Sequence, residues 1–199
     1  MTIYNFEQNT PEWHQVRLGK LTASTAQAIA TNGKGLETLC FEKVAELLTG
    51  RKKEDNFTSI DIERGHILEA QARNAYELLT GNLVKQVGFC EMTDFIGCSP
   101  DGFIGDDGLI EIKCKDDKNY AKFLYEPIVD STYMWQVQMQ MLVTGRKWCD
   151  FVVYNPNFSR DVSIIRVKRD PEKILKLMDG LEAGVKMIKD IKGKIDENN

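Results

Sequence analysis

The spacing of apolar positions changes period along the chain, and each change marks a change of element. Over residues 36–49 (LETLCFEKVAELLT) Leu39, Cys40, Val44 and Leu47 or Leu48 recur on one helical face, and Gly50 supplies the stop. Residues 60–80 repeat that spacing with Leu68, Ala72, Ala75 or Tyr76, and Leu79, ending at Gly81. Alternation then takes over. It predicts strands at 83–92, 94–98, 102–105 and 109–114, with tight turns at Ser99-Pro100-Asp101-Gly102 and Asp106-Asp107-Gly108. Helical spacing returns over 119–126 and 132–144, followed by strands at 148–154 and 161–168. Near the start, Thr10-Pro11-Glu12 reads as N-cap, proline at the first helical position and first-turn acid, and Asp170-Pro171-Glu172 opens the last helix (171–190) the same way. Thr22 or Ser24 is the expected cap of a second short helix, through Ala30. The mixed-charge stretch RKKEDNFTS (51–59) reads as a solvated connection. The order predicts one α/β domain over 1–199, a central mixed β-sheet flanked by helices.

Composition adds exclusions. With 42% hydrophobic and 28% charged residues, the 199-residue chain is ordinary globular protein. A net charge of −4 excludes a grip on nucleic acid through bulk positive charge and leaves room for a local patch. Five cysteines form no CxxC pair, and His14 and His66 lie too far apart for zinc-finger spacing. Reduced thiols are expected, and with them a cytoplasmic location. The N-terminus has no basic-then-apolar leader pattern, and no apolar run approaches 18 residues, so no membrane association is expected.

The strand cluster carries the chemical signal. Pro100-Asp101 is followed, after residues 102–110, by Glu111-Ile112-Lys113. Side chains alternate along a strand, so Glu111 and Lys113 share one face while Ile110, Ile112 and Cys114 take the other. The Asp-Asp-Gly turn folds the chain back and can set Asp101 beside Glu111. Two carboxylates about 4 Å apart repel by roughly 4 kcal/mol at an effective dielectric near 20. Such a pair shares a proton or holds a cation, and oxygen ligands with open positions suit Mg²⁺. The same residues also fit a surface hairpin with a cross-strand acid–lysine pair. Arg17 near the Thr22–Ser24 turn is either a phosphate-reading guanidinium or a surface arginine beside a cap. Gln136 and Gln140 stand one turn apart on the Met134/Val137/Met141 helix. Gln140 reads as its polar edge, Gln136 is open to that reading or to a functional one, and Trp13 and Trp135 read as core.

These residues resemble the PD-(D/E)xK nuclease motif, and their flanks are similar to the phage lambda exonuclease and YqaJ-type alkaline exonuclease family. Trp13 to Ser24 (WHQVRLGKLTAS) resembles W-x-x-x-R-x-G…T-A-S, and Gly65 to Glu69 resembles the G-x-x-x-E helix. Cys98-Ser99-Pro100-Asp101-Gly102 and Glu111-Ile112-Lys113-Cys114 resemble its core, and Tyr133 to Gln138 its Y-x-x-Q-x-Q helix. The likeness runs over about residues 5–170. It implies a restriction-endonuclease-like core and a Mg²⁺-dependent 5′→3′ exonuclease that digests one strand of linear duplex DNA to mononucleotides. The 3′ single strands left would serve recombination by strand annealing.

The roles implied are metal ligation by Asp101, Glu111, the Ile112 carbonyl and Glu69, with Lys113 as catalytic lysine. Two Mg²⁺ per site are implied, with Mn²⁺ able to substitute. Arg17, Ser24, Ser99 and Gln136 correspond to a 5′-phosphate pocket, and Ile62 to a wedge at the last base pair. The resemblance further implies a ring-shaped homotrimer on double-stranded DNA ends and a single-strand annealing protein as partner. Lys34, Arg51, Lys52, Lys53, Lys113 and Lys115 are candidates for the channel on charge alone. Two alternatives share the sequence features: an endonuclease or resolvase with the same metal core, and an inactive DNA-end-binding recombination scaffold. The chain departs from the pattern at Lys115, where a proline is frequent, and at Arg64, where an aromatic is common.

Overall fold

The structure, a computed structural model, describes the backbone of residues 1–51 and 59–198 and the side chains of 1–51 and 67–198. Its helices are α1 (Pro11–Arg17), α2 (Ala26–Thr31), α3 (Lys34–Thr49), α4 (Ser59–Thr80), α5 (Asp117–Tyr125), α6 (Ser131–Thr144) and α7 (Pro171–Glu197). The strands are β1 (Thr2–Tyr4), β2 (Leu21–Thr22), β3 (Val84–Lys85), β4 (Phe89–Thr93), β5 (Ile96–Cys98), β6 (Gly102–Ile104), β7 (Gly108–Cys114), β8 (Trp148–Tyr154) and β9 (Val162–Lys168). The starts of α1 and α7 follow the capping chemistry. Thr10 accepts from the Trp13 amide ahead of Pro11, and Asp170 accepts from the Glu172 and Lys173 amides ahead of Pro171.

Two mixed sheets are present: β1-β4-β5-β2, and β3-β6-β7-β8-β9. The single predicted run 83–92 divides between them because the chain crosses at Gly88, whose amide donates to the Tyr4 carbonyl. A Cβ at Gly88 would run into the Phe6 carbonyl, so only glycine lets β1 and β4 approach there. In the larger sheet β6 and β7 form the expected hairpin, β8 joins β7 in parallel after the α5–α6 crossover, and β9 closes antiparallel to β8. Alternation along β7 splits the interior in two. Leu109 faces a core built on α2, α3, α6 and α7, while Ile110 and Ile112 face a second cluster with Ala72 and Tyr76 of α4.

Some periodic positions fall outside these cores. Leu79 is 65% exposed, because α4 turns Ala72 and Tyr76 to the sheet instead, and Leu47 and Leu48 stay partly in solvent. Neither Thr22 nor Ser24 caps a helix. A 3₁₀ turn (Ala23–Thr25) intervenes before α2, and the two hydroxyls lie 3.2 Å apart. All five cysteines are unbridged, four buried and Cys114 exposed. Among the described residues no helix is long and apolar enough to cross a membrane.

Candidate active site

The site forms where the β6–β7 hairpin meets α6 on one side and α4 on the other. The ladder pairs Gly102 with Ile110, and continuing that register by one residue sets Asp101 opposite Glu111. A Cβ at residue 102 would strike Val84, so glycine after Asp101 lets β3 close against the hairpin. Asp101 Oδ2 accepts from the Ile112 amide at 2.6 Å, which fixes the carboxyl against the strand.

Glu111 is 2% exposed and each of its oxygens has a partner. Oε1 accepts from Gln136 Nε2 at 2.6 Å and lies 2.6 Å from Lys113 Nζ; Oε2 accepts from Gln140 Nε2 at 2.6 Å. Gln140 therefore holds the buried carboxylate and is no mere polar edge of α6. Its signal was its spacing: one turn beyond Gln136, it faces the same strand. Gln136, expected at a phosphate, also donates to Glu111. Lys113 Nζ stands 4.9 Å from the Tyr133 ring centre, and Lys115 Nζ stands 5.6 Å from the same ring.

The charges are unbalanced in the acids' favour. Burial, then the negative charges of Glu111 and Glu69, push the Asp101 carboxyl well above the ordinary range. Burial opposes the charge of Lys113, but Glu111 and Asp101 outweigh it and hold the ammonium above its usual range. Glu69 and Asp101 both line a cleft of about 610 Å³ with Asn5 to Thr10, Arg73 and Gln86 to Gly88. Among the described residues no three His, Cys, Asp or Glu side chains form a ready-made metal cage. Hard oxygen donors with excess negative charge nonetheless suit a divalent cation that keeps several of its waters.

On the α1 side, Ser99 Oγ accepts from Trp13 Nε1 at 2.8 Å and Arg17 Nη1 at 3.1 Å, and the guanidinium lies 4.1 Å over the Trp13 ring. Arg17 and Ser99 are thus brought together, with Trp13 as a third member that its assignment to the core did not foresee. Ser24 is exposed on the 3₁₀ turn and lines a groove with Gln27 and Thr132. The Ile62 and Arg64 side chains, and Lys52 and Lys53, lie outside the described residues.

Residues 12–147 match the model of the YqaJ-like viral recombinase domain. The fold is similar to that of an alkaline exonuclease from Laribacter hongkongensis, at TM-score 0.86 and 31% identity over 95% of this chain and 97% of that one. The same exonuclease in complex with dAMP matches at TM-score 0.86 and 32% identity, over the same shares of the two chains. A phage-related exonuclease from Haemophilus somnus shares the fold at TM-score 0.65 and 17% identity, over 88% of this chain and 96% of that one. Among curated proteins there is no match.

Proposed function

The chain belongs to the YqaJ-like viral recombinase family, and from that premise we propose that it is a Mg²⁺-dependent exonuclease that resects linear duplex DNA 5′→3′ for recombination. One observation carries the reading: Asp101 faces Glu111 across the hairpin, beside Lys113, with its carboxyl driven toward the protonated form by burial and then by the negative charges of Glu111 and Glu69. Asp101, Glu111 and the Ile112 carbonyl are the groups that would hold Mg²⁺, and Glu69 would complete a second position. When bound, the metal supplies an activated water and neutralises charge on the phosphoryl oxygens.

The chain's own residues do the rest. Gln136 and Gln140 keep both oxygens of Glu111 in place and stop the side chain from turning away. Lys113, 2.6 Å from Glu111, stays an ammonium and acts as a donor to the oxygen on which charge develops. Arg17 and Ser99 form the part of the 5′-phosphate pocket that selects an end. The exonuclease from Laribacter hongkongensis, whose structure holds dAMP, supports a nucleotide-sized site in this fold. A ring homotrimer with an annealing protein as partner belongs to the same reading.

The test compares 5′-phosphorylated linear duplex with closed circular duplex in Mg²⁺. Digestion of the linear DNA to mononucleotides, a persistent circle and loss of activity in Asp101→Asn are expected. Rapid cutting of the circle would establish an endonuclease instead. Equal behaviour of parent and Asp101→Asn removes the assigned site.

A further inference from the structure

One cationic side chain in the cleft has no adequate partner among the described residues. Arg73 sits on α4 one turn after Glu69 and is only 12% exposed at its side chain. Its single ion pair is with Glu69, itself 36% exposed, at 3.5 Å. That is well beyond the roughly 2.7–2.9 Å of a charge-assisted hydrogen bond. Its Nε is buried and has no hydrogen-bond partner. A buried donor left unmade costs on the order of 1–3 kcal/mol, and a charged group more, so such a donor calls for a partner: a ligand, an ion or an ordered water.

The surroundings indicate which ligand. Apart from Glu7, the cleft lining from the N-terminal segment and β3–β4 connection is neutral and largely polar, with Asn5, Gln8, Asn9, Thr10 and Gln86. Gln8 fixes it by donating to the Val87 and Pro100 carbonyls at 3.1 and 3.0 Å, directly before Asp101. Three acids also line the cleft, Glu7, Glu69 and Asp101, so an anion enters only when the carboxylate side is neutralised by metal. A planar fork of donors opposite such a centre matches phosphate oxygens.

We propose that Arg73 forms a phosphate-binding wall of the cleft, taking a backbone phosphate of the strand being cut next to the scissile one. This rests on the nuclease reading above. It separates Arg73 from a counterion whose task is only to hold Glu69.

The experiment measures binding without turnover: fluorescence anisotropy of a labelled, 5′-phosphorylated duplex in Ca²⁺, over a series of KCl concentrations. For Arg73→Gln, affinity falls about tenfold, and the slope of log K against log salt drops by about one unit, as removal of one phosphate contact requires. Arg73→Lys keeps the slope and recovers part of the affinity, since the charge remains without the fork. Mn²⁺ affinity, from calorimetry on the same proteins, stays within about twofold. An unchanged salt slope in Arg73→Gln overturns the proposal, whether or not Mn²⁺ binding falls; a fall in Mn²⁺ binding alone makes Arg73 a holder of Glu69. Should Arg73→Gln fail to fold, Arg73→Lys decides, because a side chain outside the DNA site leaves duplex affinity at the parent value. If the parent neither binds nor digests duplex DNA, the nuclease reading falls and this proposal with it. If the parent does both while the variants match it, only the assignment of Arg73 falls.

Discussion

Glu111 shows how one side chain can be recognised from sequence while its support is not. Pro-Asp at hairpin spacing from Glu-x-Lys points to this carboxylate, because a strand's two-residue period determines which neighbours share its face. Nothing in the local pattern says that α6 crosses that face, so Gln140 looks like an indifferent polar position. In the fold it is buried and donates to Glu111 Oε2 at 2.6 Å. Replacing it by Leu leaves that oxygen buried without a donor, at a cost of about 1–3 kcal/mol in the metal-free protein. Gln140→Leu is therefore expected to melt several degrees lower in EDTA, to need more Mg²⁺ for half-maximal digestion, and to regain part of its stability when Mg²⁺ is added. Thermal melts with and without metal check this; an unchanged melt in EDTA would mean that Glu111 is adequately held by Gln136 and Lys113 alone. Ser24 shows the opposite difficulty. Its sequence context reads as a helix start, but the backbone takes a 3₁₀ turn first and leaves the side chain exposed.

At the scale of elements, the periodicity of α4 left Ala75 and Tyr76 as alternatives for the buried face, and the sheet beneath decides between them. Tyr76 is wholly buried and donates to Asp150 Oδ2 of β8 at 2.7 Å, while Arg166 of β9 closes on both oxygens of Asp150 at 2.8 Å. Three elements are pinned through one buried carboxylate, and α4 is the element that carries Glu69 and Arg73. Such a contact joins residues 74 and 16 positions apart in the chain, so no local pattern announces it. Burial, followed by the hydrogen bond to Asp150 and its charge, pushes the Tyr76 phenol from 10.0 up to about 12. Raised in the fold, this group contributes stability that is complete below pH 10 and is lost as pH rises from 10 to about 12. Tyr76→Phe is expected to lose about 1 kcal/mol at neutral pH. It should also show a shallower fall in stability over that alkaline window than the parent does. Denaturant melts at a series of pH values measure both. An equally steep alkaline fall in Tyr76→Phe would assign the loss to other groups.

For the whole molecule, most of the order of elements was legible because capping residues, stop glycines and changes of period mark many boundaries, but the short strands β1 and β2 carried no such signal. The division into two sheets was not legible either, since it depends on β4 leaving the line of β3 at Gly88 to pair with β1, a strand only three residues long. Net charge carries the remaining argument. A chain of −4 that acts on DNA must concentrate its cations where the duplex runs, and Arg17, Arg73, Lys113 and Lys115 all stand around the acidic site. A single chain offers that surface once, on one side. A closed ring of three copies would surround the duplex with it, as the proposed homotrimer requires. The proposed homotrimer thus predicts a scattering mass near three times the 22.7 kDa chain mass. It also predicts digestion that, once begun, survives a challenge with excess unlabelled duplex. Dilution until the scattering mass falls to that of one chain should abolish this resistance while leaving the initial cut measurable. If monomers resist the challenge as well as trimers do, grip on the DNA comes from the cleft itself and not from encirclement.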